Sequence, residues 1–258
     1  MARWGAFEFG QFGLTDWTLA GDGAAGAGTW QVVDSSRYLK GAASDLSDRS
    51  HPQIEWRMAP SQHAGALSPQ LLFRTASPSL ANSFLSLIPV HLTGLLTDFD
   101  VVARMFTPDA RHPAMEHIYQ GWVIARCDSL TTGFYLAAVY RNQGDRCDVA
   151  SIWHVHDGSR RKIIAGQLGD KIDWTKPWHC RFNAAGHILK AKWWSCDVLE
   201  PGQWDLRAED SGSMQPGMIG FASTVHGGIK ENLWGIDWYA WSPDPDDPVP
   251  LYPDENLA

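Results

Sequence analysis

The sequence predicts an all-β protein, an antiparallel two-sheet jelly-roll sandwich. Short runs rich in β-branched and aromatic residues follow one another along the chain, and Gly, Asp, Asn or Pro separates them. No stretch keeps helical periodicity for three turns without a Pro or Gly break. No repeat of about 20–50 residues is present, which disfavours propellers and solenoids. About a dozen short strands without a helix are typical of a sandwich or jelly roll.

The first third of the chain is less regular than the rest. Its Ala/Gly-rich stretch 21–28 has no strand before it and no helix after it, so it predicts a loop rather than a phosphate-binding site. From about residue 99 the chain consists of strand after strand. The predicted strands are Trp30–Val33, Tyr38–Leu39, Ile54–Met58, Leu71–Arg74, Phe84–Ile88, Phe99–Phe106, Gly121–Cys127, Phe134–Tyr140, Val149–His156, Trp178–Asn183, Ile188–Trp194, Trp204–Ala208, Met218–Ser223 and Leu233–Trp241.

The clearest alternation lies in one predicted hairpin. In Trp178–Asn183 the Trp, Cys and Phe point to one face and the His, Arg and Asn to the other. In the return strand Ile188–Trp194, Trp194 shares a face with two lysines and is expected to be more exposed than its apolar neighbours. Gly186 suits the turn because glycine tolerates positive φ. The run Phe134–Tyr140 is apolar on both faces, which predicts a central strand.

Charge divides the chain into a body and a tail. The formal net charge is −8, but residues 241–258 hold five acids, five prolines and no Lys or Arg, so the preceding 240 residues carry only −3. We predict a single β-sandwich domain at 1–241 and an acidic, Pro-rich C-terminal tail at 242–258. The tail is either solvated and disordered or a docking segment.

Composition also limits the partners and the compartment. The body has no basic stripe, so no nucleic-acid partner is predicted. The N-terminus lacks a signal-peptide pattern, so we expect synthesis in the cytoplasm without classical secretion. The longest apolar run is far too short for membrane insertion. The four cysteines have no zinc-type spacing and are expected to be reduced and partly buried, and no cofactor is predicted.

An ordered set of motifs covers about 140 residues, from Phe99 to Trp241. They are Phe99-Asp-Val-Val-Ala-Arg, Gly121-Trp-Val-Ile-Ala-Arg, Gly133-Phe-Tyr-Leu-Ala-Ala-Val-Tyr, the hairpin Trp178 to Trp194 with its Lys-Ala-Lys-Trp return, Glu200-Pro-Gly-Gln-Trp and Gly217-Met-Ile-Gly-Phe. This set resembles the concanavalin A-like, laminin-G-like jelly-roll superfamily of lectins and glucanases. The resemblance implies one convex and one concave sheet. Members bind glycans or other proteins with the concave face or rim loops, and some are glycoside hydrolases.

Glycoside hydrolysis needs two facing carboxylates. No strand supplies them in the Glu-x-Asp-x-x-Glu pattern of the laminarinase-like relatives. Asp98 and Asp100 are two residues apart, but Asp98 stands at a strand entrance, where a turn role is commoner. No catalytic residue is predicted, although acids from different strands could still converge, so enzymatic activity is left open and disfavoured.

His154 and His156 lie on one face of a predicted strand, a spacing that suits a metal ion. Cupin-type sites add a Glu a few residues later, whereas this chain continues with Asp157 and Gly158. Solvated edge histidines are the preferred interpretation. His112 and His117 form a similarly weak group in a predicted loop, and no metal site is predicted.

The 14 tryptophans have two possible uses. A sugar stacks its apolar C–H side on a flat ring while polar side chains hold its hydroxyls, but a large sandwich core also needs big rings. Alternation assigns four to the core: Trp178, Trp193, Trp234 and Trp238. The candidate ligand-binding residues are Trp122 and Arg126, which share a face of their strand, together with Trp153 and Trp194.

These features favour a non-catalytic, lectin-like module that binds a glycan or cell-surface polysaccharide, or docks in a larger assembly. One version is a component of a phage or phage-like virion, made in the cytoplasm and displayed outside the cell. Two alternatives stay open. One is a glycoside hydrolase whose carboxylates converge from different strands, and the other is a purely structural virion or assembly protein with protein partners only.

Overall fold

The computed structural model describes the chain in fourteen stretches. They are residues 5–8, 30–34, 53–60, 67–76, 82–89, 95–106, 119–129, 133–142, 147–156, 159–174, 176–212, 215–226, 231–249 and 251. Within them the chain forms strands and turns but no helix, and so no helix that could cross a membrane. The strands are β1 Gly5–Glu8, β2 Trp30–Asp34, β3 Gln53–Pro60, β4 Leu67–Ala76, β5 Asn82–Pro89, β6 Phe99–Phe106, β7 Tyr119–Ser129, β8 Gly133–Asn142, β9 Cys147–His156, β10 Ser159–Gly169, β11 Trp178–Ala185, β12 Ile188–Ser195, β13 Leu206–Glu209, β14 Met218–His226 and β15 Glu231–Ser242.

The strands form two antiparallel sheets. The eight-stranded sheet has the order β13-β12-β11-β6-β15-β4-β3, with β1 also paired to β15, and the seven-stranded sheet has the order β10-β9-β8-β7-β14-β5-β2. The strands β6, β15 and β4 are neighbours in the first sheet, and β7, β14 and β5 are neighbours in the second. The pairs β6/β7, β14/β15 and β4/β5 are each consecutive in the chain, so the chain passes from one sheet to the other after β4, β6 and β14. This winding confirms the predicted antiparallel two-sheet jelly roll.

The core lies between the sheets, and the β11–β12 hairpin contributes to it as its alternation predicts. Trp178 pairs with Ser195 and Cys180 with Trp193, and the two tryptophans are fully buried in the main apolar cluster. Their assignment to the core is confirmed. Gly186 has φ 55° in the turn, the left-handed conformation that favours glycine. The side chains of Trp234 and Trp238 lie outside the described part of the structure.

The strand predicted to be central is central. β8 lies between β7 and β9, and Tyr135 through Val139 are fully buried on both faces. Of the cysteines, Cys127 and Cys180 are buried thiols and Cys196 is a partly exposed thiol. The predicted loop 21–28 and the strand Tyr38–Leu39 lie outside the described residues.

The predicted strands lack β1 Gly5–Glu8 and β10, and β13 begins later than predicted. β10 was not predicted, because it is an edge strand that starts with Ser159-Arg-Arg-Lys and exposes many of its side chains. Its polar composition imitates a loop. The predicted strand Trp204–Ala208 begins two residues later, at Leu206, because Trp204 and Asp205 belong to the preceding turn.

The chain returns over one sheet after β15. Residues 243–249 and 251, here called the C-terminal segment, lie on the outer face of the eight-stranded sheet, and Val249 is only 2% exposed. We call this outer face the covered face; its members include Asp100, Val102, Arg181, Asn183, Trp194 and Ala240. Of the two forms predicted for the tail, Val249 takes the docked one, whereas residues 243 and 246–248 are exposed. The domain boundary at 241/242 stays a prediction.

Candidate functional site

The four candidate ligand-binding residues lie in three separate places. Backbone register puts Trp122 and Trp153 on the outer face of the seven-stranded sheet. Arg126 lies at one rim of the sandwich, and Trp194 lies on the covered face. The four residues therefore do not form one site, and whether each binds a ligand stays a prediction.

Trp122 and Trp153 share a face through β8. Trp122 pairs with Ala138, which pairs with Ser151, and Trp153 follows Ser151 by two positions. Residues opposite one another share a face, as do residues two apart on one strand. Since neighbouring strands lie about 4.8 Å apart, the Cα atoms of Trp122 and Ser151 are roughly 10 Å apart. Of Trp122, the structure describes only the backbone.

The indole of Trp153 is held in place but remains partly exposed. Its Nε1–H donates to Ser151 Oγ at 2.7 Å, and Lys162 Nζ lies 4.7 Å from the ring centroid. Lys162 and Trp153 pair across β10 and β9, and the pairing continues from Trp153 to Leu136 on β8 and Ile124 on β7. We call the surface formed by Trp153 and Lys162, with Ser151 beside them, the Trp153 face. Leu136 and Ile124 are fully buried, so the part that reaches solvent is the Trp153 ring with the exposed Lys162 ammonium group next to it.

The expectation that Arg126 shares a face with Trp122 is wrong. A register shift follows Ala125, and Arg126 has φ 52°, so its side chain turns away from the alternating pattern. It is 2% exposed, stands 5.7 Å from the ring of the core residue Tyr135 and donates to the carbonyl of Gly186 at 2.6 Å. Arg126 therefore ties strand ends together at the rim.

The expected exposure of Trp194 is also wrong. Trp194 does share a face with Lys192, as alternation predicts, but only 1% of it is exposed. Its ring stacks on His179 with 4.9 Å between centroids, and Val249 of the C-terminal segment packs against it. The sequence could not show this cover, because the covering residue lies more than fifty positions away.

A polar cluster between the sheets at the rim was not predicted. Asp210 accepts hydrogen bonds from Arg161 at 2.8 Å and from the Tyr135 hydroxyl at 3.1 Å. The ring of His154 stacks on Tyr135 with 4.6 Å between centroids, and its Nδ1 lies 4.0 Å from Asp210 Oδ2. Arg161 and Tyr135 are 49 and 75 positions from Asp210, so no local sequence pattern signals the cluster.

The electrostatics of this cluster favour an ionised Asp210 beside a neutral His154. Burial alone would raise the pKa of the Asp210 carboxyl, but the hydrogen bonds from Arg161 and Tyr135 outweigh it and hold the pKa below its usual value. Burial lowers the pKa of His154, and Arg161 adds to this effect while Asp210 opposes it. A carboxylate held ionised is a poor proton donor, so Asp210 is unsuited to be the general acid of glycoside hydrolysis.

Other carboxylates of the described residues are engaged in structural contacts. Asp148 accepts from the indole N–H of Trp174 at 2.8 Å, and Asp205 accepts from Lys171 at 2.6 Å. Asp98 accepts at 2.8 Å from the N–H of the glycine in the β11–β12 turn. These contacts cap turns and join strands. They leave these three acids poorly suited to attack or protonate a substrate.

The histidine pair differs from its expected form. His156 is exposed, but His154 is only 8% exposed, because it packs between Tyr135 and His156 rather than facing solvent at an edge. Within the described ranges no group of three His, Cys, Asp or Glu side chains could hold a metal ion. His112 lies outside those ranges.

Several solved structures are similar to this chain. The carbohydrate-binding module CBM66 from Bacillus subtilis matches at 16% identity and TM-score 0.43, over 75% of this chain and 92% of its own. The exoplasmic/lumenal domain of VIP36, in a Ca2+/Man2-bound form, matches at 13% and 0.46, over 84% and 89%. A xylan β-1,4-xylosidase from Bacillus halodurans C-125 matches at 12% and 0.42, over 75% of this chain and 38% of its own.

No protein-family model and no curated protein matches the sequence. The two sheets and their winding confirm the predicted antiparallel jelly-roll fold. Fold similarity assigns no ligand and no site.

Proposed function

We propose that the protein is a non-catalytic glycan-binding module and that it binds through the Trp153 face. The partly exposed indole of Trp153, fixed by Ser151 and flanked by Lys162, is the observation that carries this proposal. A ring held in one orientation loses little conformational entropy when a pyranose stacks on it. The ammonium group of Lys162 brings donors for sugar hydroxyls to the same place.

Two features favour binding over hydrolysis. The rim acid Asp210 is held ionised by Arg161, and Asp148 and Asp205 are committed to structural hydrogen bonds. The Trp153 face is built of strands, and strands hold a binding surface more rigidly than loops do. Placement of this module on a virion, display outside the cell and protein partners in an assembly stay predictions.

The test is a glycan-array screen followed by calorimetry on the best ligand. Trp153→Ala is expected to weaken binding at least tenfold, equivalent to about 1.4 kcal/mol, because the stacking surface is lost. Trp204→Ala is the matched control, since Trp204 is also partly exposed and also has a lysine near its ring, Lys190 at 5.0 Å. Failure of the wild-type protein to bind any glycan, or equal losses in the two variants, would contradict the proposal.

The same ligand separates binding from catalysis. After prolonged incubation with the wild-type protein, we expect the glycan to be recovered intact by mass spectrometry. Cleaved products that persist in repurified protein would overturn the non-catalytic half of the proposal and favour a hydrolase with converging carboxylates.

A further inference from the structure

The C-terminal segment is held on the covered face largely through its backbone. Arg181 donates to the carbonyl of Val249 at 2.6 Å, and the N–H of Val249 donates to Asp100 at 3.1 Å. Asn183 donates to the carbonyl of Pro245 at 2.9 Å. Because these contacts use backbone groups, they do not depend on the side chains of the segment. The face can therefore accept other extended chains that present a carbonyl and an N–H at the same places.

One side chain of the segment acts as an apolar anchor. Val249 is 2% exposed and packs with Val102, Trp194 and Ala240. It is flanked by prolines in the sequence Pro-Val-Pro, within a segment that also has Pro243 and further prolines. Proline-rich chains are already extended before they bind, so they lose less entropy on docking. The face thus selects an aliphatic residue in an extended, proline-containing context.

The resident segment does not satisfy every polar group of the covered face. The Nε1–H of Trp194 and the Oδ1 of Asn183 are buried without a hydrogen-bond partner in the described part of the chain. Unpaired buried donors and acceptors oppose binding. A segment of different sequence that paired with them would bind this face more tightly than the resident one.

We propose that the covered face is a peptide-binding groove, filled in cis by the C-terminal segment. In exchange it takes an extended, proline-containing segment with an aliphatic anchor from another protein. Covalent attachment gives the resident segment an effective concentration of about a millimolar, so a partner must bind the groove tightly enough to displace it. This groove lies on the opposite sheet from the Trp153 face and does not depend on glycan binding.

The experiment uses the full chain and a fluorescent synthetic peptide with the sequence of residues 242–252. Val249→Asp places a charge in the apolar pocket and should vacate the groove. We expect the peptide to bind this variant at micromolar concentration and the wild type at least tenfold more weakly, because the resident segment competes. Leu95→Asp is the matched control, since Leu95 is 64% exposed and its neighbour Leu96 bridges to Gly217, just before β14 of the other sheet; it should behave as wild type.

Two further variants test specificity. A peptide with Asp in place of its valine should not bind, and Arg181→Gln added to Val249→Asp should weaken peptide binding at least tenfold. Hydrogen exchange at the amide of residue 249 reports whether the groove is empty, and thermal unfolding reports whether the variant is folded. If Val249→Asp does not fold, Val249→Ala takes its place.

Equal affinity of the peptide for the wild type and for Val249→Asp would overturn the proposal. So would the absence of peptide binding to a folded Val249→Asp chain whose residue-249 amide exchanges freely. Continued protection of the residue-249 amide in folded Val249→Asp would also overturn the proposal, because the segment would then stay bound without the valine side chain. A wild-type dimer that disappears in Val249→Asp would make a second copy the partner and overturn the assignment to another protein.

Discussion

The covered face and the Trp153 face each carry a lysine beside a tryptophan ring, but the tryptophan is buried on one face and partly exposed on the other. On the covered face Lys192 Nζ lies 5.7 Å from the ring of Trp194, and on the Trp153 face Lys162 Nζ lies 4.7 Å from the ring of Trp153. Trp194 is buried under the C-terminal segment, whereas Trp153 is partly exposed. A tryptophan beside a lysine therefore indicates an outer face of the sandwich, and distant parts of the chain decide how much of the ring stays exposed.

The cover also changes the electrostatics. Arg181 forms ion pairs with Asp100 at 3.3 Å and with Glu200 at 3.1 Å, and both Arg181 and Asp100 are buried. Burial raises the pKa of the Asp100 carboxyl even with Arg181 beside it. On the Trp153 face Lys162 stays exposed, and its charge remains hydrated. Substitutions on the covered face should therefore cost more stability than matching ones on the other face.

The largest effect is expected from Arg181→Met. Methionine keeps part of the side-chain volume but leaves Asp100 buried without its cation, which should lower the free energy of unfolding by about 3–5 kcal/mol. Urea denaturation measures the change. Asp100→Asn in the same chain should recover part of the loss, since it removes the unpaired charge. A loss below about 1 kcal/mol for the single variant would mean that the covered face does not bury its charges.

An intermediate effect is expected from acid at the rim cluster, which belongs to neither outer face. The pKa of His154 is lower in the folded chain than its ordinary 6.5, because burial opposes the charge; Asp210, Arg161 and His156 also face it. The unfolded chain therefore binds the proton first. Stability should be fully present above pH 6.5 and should fall as the pH drops towards the folded-state pKa.

Urea denaturation across this pH range tests the effect. His154→Phe keeps an aromatic ring against Tyr135 without a titrating group, and its profile should be flatter than that of the wild type. His156→Phe is the exposed control and should keep the wild-type slope. If His154→Phe leaves the slope unchanged, the acid sensitivity originates elsewhere.

The smallest effect is expected from Lys162→Ala. It removes an exposed cation from the ring of Trp153, and cation–π contacts at exposed sites contribute about 0.5–1 kcal/mol. Lys192→Ala should cost more, because Lys192 is buried and pairs with Glu200 at 2.6 Å. Denaturation of the two variants side by side compares the faces directly. Equal losses would contradict the expectation that the buried lysine contributes more stability than the exposed one.

Local pattern predicted much of the fold because the β-sandwich is built from alternation. Even-numbered residues of Trp178–Asn183 face the core and odd-numbered ones face outward, as the sequence indicates. Alternation predicted the strands less well in two places, an exposed edge strand with polar side chains and a strand interrupted by a bulge. β10 is polar because it is an edge strand, and Arg126 leaves its predicted face because a bulge interrupts the two-residue period.

Sheet class, most strand positions and the facing of residues in the regular strands follow from the sequence, because each of these depends on neighbours a few positions apart. The tertiary structure placed the C-terminal segment over the outer face of the eight-stranded sheet, where the hydrogen bond from Val249 to Asp100 joins residues 149 positions apart. It also decided which charges are buried, as Asp210 with Arg161 and Tyr135 shows. Burial depends on which distant residues pack against a side chain, and the periodicity of a strand does not contain that information.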